Sequence, residues 1–338
     1  MTKIFVTGAG GFIGSHLCRF LKNKGFIVIG ADIKTPEYFK IGDICEQFYT
    51  ADLRKIDACR QIFEKEMGIE HVYNLAADMG GIYYINEVRA PIIRNNALIN
   101  LNMLEMARIY DVKRYFYSSS ACIYPSFKQT EVDSPDLKET DAIPADPEDF
   151  YGWEKLFTEI ACDAYKKDYN LDSRVARFHN IYGPNGTYKG GREKAPAALC
   201  RKVACTEDGR TMEIWGDGKQ TRSFCYIDDC LEGFYRLMNI PAKKYVETLK
   251  KYEILGINIG SDRRITIDEL ADIIIRLSGK KITLQHDISK WQGVRGRNSD
   301  NTISKELLNW EPKIPLETGL EKTYKWILEQ CQKTGDAK

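Results

Sequence analysis

A tyrosine and a lysine four residues apart, Tyr151 and Lys155, have a spacing that indicates proton-transfer chemistry. Side chains four apart share one face of a helix. A lysine ammonium near a phenol favours the phenolate, so such a tyrosine acts as a base near neutral pH although its ordinary pKa is about 10. The spacing alone is common by chance. Ser120 strengthens the hypothesis because it ends the predicted fifth strand, at the edge where parallel sheets hold ligands.

A glycine-rich turn between the first predicted strand and the first helix indicates dinucleotide binding. Gly8, Gly11 and Gly14 suit a tight turn, close approach of a diphosphate, and close packing of helix on strand. Asp32 ends the second predicted strand, where a carboxylate binds an adenosine ribose and repels a 2′-phosphate. We therefore expect NAD rather than NADP. Asp52 is placed to meet the adenine, although taken alone it suits a helix N-cap equally well.

The elements that carry these residues alternate between strand and helix. Amphipathic helices are predicted at 14–24 and 96–110, and candidate strands at 3–7, 26–30, 47–51, 71–75, 115–119 and 174–178. This alternation predicts an α/β fold with a Rossmann-type, doubly wound parallel sheet. We expect an NAD-binding domain at 1–180, to which the chain returns around 220–255. The segment 181–338 is predicted to be mainly a smaller, mixed α/β substrate domain.

The second half of the chain is less regular. A helix is predicted at 195–205, a strand at 212–215, and further helices at 266–278 and 318–332. Two charged stretches stand out. Residues 131–149 carry eight acidic side chains and one lysine, which predicts a solvated loop. Residues 242–252 are rich in Lys and Glu and predict a loop or a helix extension.

Composition excludes several classes of function. The 338 residues contain 49 Lys and Arg against 48 Asp and Glu, a balance that argues against a general nucleic-acid binder. No apolar run approaches the roughly 18 residues of a membrane span. The N-terminus enters a strand pattern directly, and ten cysteines are scattered without a Cys-x-x-Cys motif. We therefore expect a cytoplasmic protein with reduced thiols, no membrane partner and no structural metal.

Taken together, these motifs resemble the extended short-chain dehydrogenase/reductase family over nearly the whole chain. The resemblance rests on the glycine turn, the Tyr151–Lys155 pair, and the runs NLAA at 74–77, NIYGP at 180–184, RSFCYIDD at 222–229 and LNWEP at 308–312. Longer runs are similar to the branch of 3,5-epimerases that act on GDP-mannose. They are ADMGG at 77–81, SACIYP at 120–125, RFHN at 177–180, KGGREKAP at 189–196 and GVRGRNSD at 293–300.

The resemblance implies a mechanism that makes chemical sense. Inverting a sugar carbon requires removal of a weakly acidic C–H proton, and a ketone at C4 acidifies both C3 and C5. The family implies that Tyr151 takes the C4 hydroxyl proton while hydride passes to NAD, with Lys155 on the nicotinamide ribose and Ser120 on the C4 oxygen. Cys122 and Lys194 would then transfer protons, one on each face of the ring. A thiol near a nicotinamide cation and a lysine is expected to ionise near neutral pH.

The resemblance also assigns binding residues, with a nucleotide sugar as substrate and, for this branch, GDP-mannose. For the cofactor they are Gly8, Gly11, Phe12, Ile13, Gly14, Asp32, Asp52, Met79, Tyr151 and Lys155. For the substrate they are Gly80, Ser120, Ala121, Cys122, Asn180, Lys194, Lys202, Gln220, Thr221, Arg222 and Arg297. Arginine forks suit phosphate oxygens, so the last two are expected at the diphosphate or ribose. A homodimer through helix 96–110 and the Tyr151 helix is also implied.

Alternatives remain open at this point. A second hypothesis is another NAD-dependent nucleotide-sugar epimerase, decarboxylase or 4,6-dehydratase of the same scaffold. Cys122 together with Lys194 argues against it, because a 4-epimerase needs no second acid/base pair and a dehydratase is expected to carry a carboxylate there. A non-catalytic NAD-sensing protein is a third hypothesis, which the retained Tyr151, Lys155 and Ser120 disfavour. Taken alone, Cys122 suits a buried apolar thiol, Lys194 an exposed loop lysine, and His179 a structural residue.

Overall fold

The computed structural model describes all residues, 1–338. Its strands are β1 Lys3–Thr7, β2 Ile27–Asp32, β3 Gln47–Thr50, β4 Ile69–Asn74, β5 Arg114–Ser120, β6 Ser173–Phe178, β7 Ile181–Tyr182, β8 Thr211–Trp215, β9 Thr221–Arg222, β10 Cys225–Tyr226, β11 Ile257–Ile259, β12 Ile265–Thr266, β13 Thr283–Asp287 and β14 Gly296–Arg297. Its helices are α1 Phe12–Asn23, α2 Ile41–Ile44, α3 Ile56–Lys65, α4 Ile82–Glu87, α5 Arg89–Ile109, α6 Phe150–Tyr169, α7 Ala195–Cys205, α8 Ile227–Asn239, α9 Ala242–Tyr252, α10 Ile267–Ser278, α11 Thr302–Leu308 and α12 Leu316–Thr334. Short 3₁₀ helices cover Ala121–Ile123, Ser126–Lys128 and Glu139–Ala142.

Seven strands form one parallel sheet in the order β3-β2-β1-β4-β5-β6-β11. The chain builds outward from β1 in one direction and then from β4 in the other. The strand order therefore reverses between these two strands, and a ligand crevice opens there at the carboxyl ends. The predicted doubly wound α/β fold is confirmed, with strand limits that differ by at most two residues at the sheet's first six strands.

Helices cover both faces of this sheet. On one face α3 and α5 pack on the strands, where the rings of Phe5 and Phe63 lie 5.5 Å apart. On the other face lie α1 and α8, and the ring of Phe234 from α8 lies 5.1 Å from that of Phe116. Because both faces are buried, strands such as β1 are almost continuously apolar.

The second half adds a smaller group of elements. Helices α7, α10 and α12 pack together, β8 pairs with β13, and β9 lies between β12 and β14. Helix α9 occupies the whole Lys/Glu-rich stretch 242–252. The seventh strand of the main sheet is β11, which comes after α8 and α9 in the chain. The division into domains at residue 180 stays a prediction. None of the helices is both long and apolar enough to cross a membrane.

The acidic stretch 131–149 differs from its prediction. Leu137 and Glu139 are each only 1% exposed, so this segment is not simply a solvated loop. Glu139 Oε1 accepts a hydrogen bond of 3.0 Å from the Asn258 backbone N–H in β11, and the Leu137 N–H donates to the Asn298 carbonyl. The segment therefore joins β11 to the strand region around β14. Its charge density did not reveal this, because a buried carboxylate that accepts a backbone N–H looks the same in sequence as a solvated one.

Candidate active site

A cleft of about 460 Å³ opens at the carboxyl ends of β1, β2 and β5. This volume lies in the usual range of small-molecule sites. The cleft brings together most of the residues predicted to bind the cofactor or to catalyse. They are Gly8, Gly11, Phe12, Ile13, Gly14, Asp32, Asp52, Met79, Ser120, Tyr151, Lys155 and Lys194.

The glycine turn forms the floor of this cleft. At Gly14 a Cβ would overlap the carbonyl oxygen of Gly8, so only glycine lets α1 start this close to β1. No side chain caps the first turn of α1, and that turn contains no acidic residue. Unpaired N–H groups at a helix start favour an anion such as a diphosphate.

Asp32 is held at the rim of the same cleft. One carboxylate oxygen accepts from the Gly10 N–H at 3.0 Å and the other from the Lys34 N–H at 3.2 Å. Burial raises the pKa of this carboxyl above its ordinary value, while these hydrogen bonds oppose the shift. The backbone therefore fixes the orientation of the carboxylate next to the cleft, as a ribose contact requires.

Asp52 lines the cleft but does not cap α3, which begins at Ile56 after Lys55. Its carboxylate accepts two hydrogen bonds of 2.8 Å from the Arg54 guanidinium, which keep its pKa below its ordinary value. Arg54 also donates to Asn95, and Asn95 donates to Asp78. This chain of polar side chains adjoins Asp52, where the adenine is predicted to bind. Arg54 and Asn95 were not predicted, because neither belongs to a recognisable motif.

The donor set and shape of this cleft fit NAD. The uncapped helix start suits the diphosphate, the oriented Asp32 carboxylate suits the adenosine ribose, and Tyr151 and Lys155 line the opposite end. These residues would hold the dinucleotide along the crevice, with its nicotinamide toward Ser120 and Tyr151.

Tyr151 and Lys155 both lie on the buried face of α6. Lys155 is 1% exposed, donates to the Ser118 carbonyl at 2.8 Å, and lies 5.4 Å from the Tyr151 ring centre. The expected lowering of the tyrosine pKa is not observed. Burial raises the pKa of Tyr151 well above its ordinary value and lowers that of Lys155. Burial, rather than the charge of Lys155, is the largest influence on the Tyr151 phenol.

Cys122 lies in the 3₁₀ turn that follows β5, and its side chain packs in a small cluster with Tyr151 and Met79. Gly152 in α6 allows this approach, because a Cβ there would overlap the Cys122 carbonyl oxygen. The expected ionisation near neutral pH is opposed in this structure by burial, which raises the thiol pKa. The strongest opposing influence is the guanidinium of Arg297, ahead of Lys194.

Lys194 lies at the start of α7 and lines the cleft beside Tyr151 and Ser120. Its side chain is open to the cleft, yet protein atoms surround it closely enough that desolvation lowers its pKa. Its loop is held against the segment before α4, where the Gly81 N–H donates to the Arg192 carbonyl at 3.0 Å. An amine with a lowered pKa in this position can release and accept a proton.

Arg222 and Arg297 are paired in register on β9 and β14. Desolvation, followed by the charge of Arg297, lowers the pKa of Arg222 to about 9. Arg222 has no carboxylate within ion-pair distance, and its guanidinium donates to the Thr221 carbonyl. A half-buried guanidinium without a carboxylate partner fits an anionic ligand. Arg297 instead reaches the sulfur of Cys122 at 3.4 Å.

Several other residues predicted at the substrate have roles within the protein here. Gly80 is buried against Tyr84, and Ala121 is buried in a small apolar cluster. Asn180 donates to the Ser223 carbonyl and Lys202 to the Glu213 carbonyl. The Thr221 hydroxyl donates to the Val132 carbonyl, whereas the buried Gln220 leaves its side-chain oxygen unpaired. Their contacts with substrate stay predictions.

His179 is buried, and its ring lies 3.0 Å from the Asn258 side-chain oxygen. Burial lowers its pKa to about 3, which agrees with the structural role expected for it. No group of three or more His, Cys, Asp or Glu side chains has an arrangement suited to a metal ion.

Comparison with known proteins identifies the family of this chain. Residues 4–252 match the model of the NAD dependent epimerase/dehydratase family. GDP-mannose 3,5-epimerase from Arabidopsis thaliana is 49% identical over 98% of this chain and 83% of that protein. GDP-mannose 3,5-epimerase 1 from Oryza sativa subsp. japonica is 50% identical over the same shares. The crystal structure of UDP-glucuronic acid 4-epimerase from Bacillus cereus, in complex with UDP-glucuronic acid and NAD, aligns with a TM-score of 0.77. It is 28% identical over 97% of this chain and 100% of that chain.

These findings confirm the predicted cofactor class and the resemblance to the 3,5-epimerase branch. The glycine turn had predicted the dinucleotide cofactor, and the longer sequence runs had carried the resemblance to the family. The chain belongs to the NAD dependent epimerase/dehydratase family.

Proposed function

We propose that this chain epimerises GDP-D-mannose at C3 and C5, giving GDP-L-galactose and GDP-L-gulose. The observation that carries the proposal is a second proton-transfer pair, Cys122 and Lys194, near the Tyr151, Lys155 and Ser120 set. Simple inversion at C4 needs only the latter set. The relatives from Arabidopsis and rice, both GDP-mannose 3,5-epimerases, support the substrate.

The first step would generate the C4 ketone. Tyr151 would act as the phenolate, which requires the charges of Lys155 and of the bound nicotinamide to outweigh the burial that raises its pKa. The phenolate would remove the proton of the C4 hydroxyl, and Ser120 would bind the C4 oxygen. NAD, when bound, supplies the acceptor for the C4 hydride and returns it at the end. Lys155 would hold the nicotinamide ribose of the bound cofactor. Because the hydride returns to the sugar, the reaction has no net oxidation or reduction.

The inversions occur while C4 is a ketone. The Cys122 thiolate removes the proton from the acidified carbon, and the Lys194 ammonium delivers a proton to the opposite face. The lowered pKa of Lys194 supports this role, because an amine that deprotonates more easily is a better proton donor near neutral pH. The tyrosine then returns its proton to the C4 oxygen as hydride returns to C4.

The nucleotide end would lie on the second half of the chain. Arg222 supports this placement, since its half-buried guanidinium lacks a carboxylate partner. Asn180, Lys202, Gln220, Thr221 and Gly80 complete the proposed substrate contacts. The two-unit organisation, with 1–180 for the cofactor and 181–338 mainly for the nucleotide sugar, is part of the same proposal.

The functional unit is proposed to be a cytoplasmic homodimer without nucleic-acid or membrane partners. Helices α5 and α6 pack side by side, and their outer face is apolar. Leu101 is 38% exposed, Trp153 47%, Phe157 48% and Ile160 52%. Three of these side chains lie on one face of α6, opposite the buried Tyr151 and Lys155. A contiguous apolar face of this kind supports a subunit contact.

The test is proton NMR of GDP-mannose incubated with the protein in D2O, with and without added NAD. Deuterium at both C3 and C5, with new GDP-galactose and GDP-gulose signals, is the expected result. Deuterium at only one of the two carbons would mean that the protein inverts a single carbon of the sugar. If the protein is folded and binds NAD but no deuterium is incorporated, GDP-mannose is not its substrate. UDP- and dTDP-sugars would then be tested.

Substitution of Cys122 tests whether this thiol carries out the deuterium exchange. Cys122→Ala should reduce exchange at C3 and C5 by at least about 100-fold, since removal of a proton-transfer group typically costs that much. NAD affinity should stay within about two-fold. Cys205→Ser is the matched control, because Cys205 ends α7 and packs against the large core cluster, whereas Cys122 packs against the cluster that contains Tyr151. Equal rates of deuterium exchange in Cys122→Ala and in the unmodified chain would show that the thiol does not transfer the proton.

A further inference from the structure

Arg297 directs its charge at the reacting thiol. The side chain is 9% exposed, and Nη1 lies 3.4 Å from Cys122 Sγ. Nε donates to the side-chain oxygen of Gln129 at 2.6 Å. Nη2 makes no hydrogen bond, although the carboxylate of Glu148 lies 3.7 Å away. Glu148 therefore forms only a long ion pair with the guanidinium, whereas the short hydrogen bond that orients it is made with the neutral Gln129, and Nη1 points at the sulfur.

Gln129 has only one way to make this contact. Its side chain is 1% exposed, and its amide nitrogen donates to the Tyr124 and Pro125 carbonyls, each at 3.1 Å. With both amide hydrogens used by the backbone, the amide oxygen must face Arg297. Tyr124 and Pro125 lie two and three residues after Cys122 in the chain, so Gln129 connects the thiol's own loop to β14.

Arg297 is the only charged side chain hydrogen-bonded to the Cys122 sulfur. Burial raises the pKa of the thiol, and Arg297 is the strongest influence that lowers it. Asp149 raises the thiol pKa, whereas Lys194 and the Ser120 hydroxyl lower it less strongly. The other titratable or charged groups that face the thiol are Tyr151, Lys155 and Arg222. The thiolate therefore depends on the position of one guanidinium more than on any other group.

We propose that Gln129 is a positioning residue for proton transfer at Cys122, because it holds the Arg297 guanidinium against the sulfur and so favours the thiolate. The inference rests on the proposed function only in that Cys122 serves there as the base. A neutral amide suits this task better than a second carboxylate would, because it orients the guanidinium without adding to the negative charge of Glu148. Arg222, which lacks such an anchor, is left to bind the diphosphate.

The experiment measures Cys122 itself. The NAD-loaded, full-length protein is treated with iodoacetamide across a pH series, and alkylation of the Cys122 peptide is followed by mass spectrometry. Gln129→Met keeps the side-chain length but accepts no strong hydrogen bond. We expect Cys122 alkylation at pH 7 to become about ten-fold slower, equivalent to a rise of about one unit in its pKa. The ultraviolet absorbance of the thiolate, taken as the difference from Cys122→Ser, reports the same titration without a reagent.

A second glutamine–arginine pair provides the matched control. Gln292 accepts from Arg295 at 2.8 Å, but Arg295 faces the carboxylate of Asp217 rather than Cys122. Gln292→Met should leave the Cys122 titration unchanged. A slowing as large as that of Gln129→Met would mean that general loosening of this region, rather than positioning, sets the thiol reactivity.

A double-mutant cycle separates positioning from packing. If Gln129 acts through Arg297, then Gln129→Met should have no further effect on Cys122 in an Arg297→Met background. An equal effect in both backgrounds, or an unchanged titration in folded Gln129→Met, would overturn the inference. Should Gln129→Met not fold, Gln129→Glu replaces it, and its carboxylate is expected to raise the Cys122 pKa by offsetting the guanidinium charge. An unchanged Cys122 titration in folded Gln129→Glu, or in Arg297→Met, equally rejects the inference. None of these measurements uses GDP-mannose, so failure of the proposed function would not alter them.

Discussion

Asp32 illustrates how a single side chain can set cofactor choice. Its position at the end of β2 follows from strand length, and two backbone N–H groups then orient its carboxylate. The orientation matters because a fixed anion binds ribose hydroxyls and repels a 2′-phosphate at the same point. We therefore expect the preference between NAD and NADP to depend on this residue.

Asp32→Asn keeps the shape of the side chain and removes its charge. We expect weaker NAD binding by about 10- to 100-fold, since a hydrogen bond to a charged group is worth about 1.5–3 kcal/mol. NADP binding should strengthen because the repulsion disappears. Titration calorimetry with both dinucleotides measures the two changes. Asp57→Asn removes an exposed carboxylate of α3 and should change neither affinity. An Asp32→Asn protein with its original preference would show that another group selects the cofactor.

At the level of elements, the junction of the 3₁₀ turn Ala121–Ile123 with α6 places both reacting side chains. The turn presents Cys122, and α6 presents Tyr151 one residue before Gly152. The missing side chain at Gly152 lets the helix start against the Cys122 carbonyl. The distance between the side chains of Cys122 and Tyr151 therefore depends on how closely the 3₁₀ turn and α6 pack.

Gly152→Ala should disturb that junction. Over-packing of a tight contact costs about 1–3 kcal/mol, so we expect the free energy of unfolding to fall by this amount. Turnover of GDP-mannose should fall further than NAD affinity, because the shift separates Cys122 from Tyr151 and leaves the glycine turn intact. Urea unfolding and turnover assays measure the two effects. Gly42→Ala, where an added Cβ meets no atom within 4 Å, should change stability by less than about 1 kcal/mol. Similar results for both variants would contradict the close packing of α6 on the turn.

For the molecule as a whole, a buried polar network joins the main sheet to the later elements. Glu139 accepts from the Asn258 N–H, and Arg177 forms an ion pair with Glu159 at 2.8 Å inside the same region. Burial raises the pKa of Glu139 to about 7. Folding therefore favours the protonated form of Glu139. The stability that this carboxyl contributes is fully present below the pKa it has in the unfolded chain, and it is lost as the pH rises through 7.

This network predicts a pH-dependent difference between two proteins. When the pH falls from 8 to 5, the unmodified chain should gain about 2–3 kcal/mol of stability relative to Glu139→Gln. The buried His179, whose pKa is about 3, destabilises both proteins equally on acidification and cancels in the comparison. Denaturant unfolding at several pH values measures the difference. Parallel pH profiles of the two proteins would mean that Glu139 stays ionised in the fold.

The outer face of α5 and α6 predicts the oligomeric state. Phe157→Glu places a charge in the middle of the apolar face, so we expect monomers in sedimentation velocity at concentrations where the unmodified chain is a dimer. Ile288→Glu is the matched control, since Ile288 is 75% exposed but lies on a loop outside this face. A dimer that survives Phe157→Glu would place the subunit contact elsewhere.

Local patterns in the sequence determined much of this protein. Six of the seven sheet strands, the glycine turn, Asp32 at a strand end and the Tyr151–Lys155 pair were all predictable. Each depends on residues within one strand, one turn or one helical repeat, where side-chain periodicity and backbone geometry act directly. The longer runs around Cys122 and Lys194 extended the prediction to the family, which the comparisons confirmed.

Only the tertiary structure determined which groups shift the pKa values of the reacting side chains. Arg297 and Cys122 are 175 positions apart, and Gln129 and Arg297 are 168 apart. No local pattern marks Gln129, and the acidic stretch around Glu139 resembles a solvated loop. Burial and the identity of a charged neighbour arise only when distant strands and loops close around one another. These two factors set the pKa of a side chain, so the sequence identifies the reacting groups, and the packing of the whole chain determines their protonation.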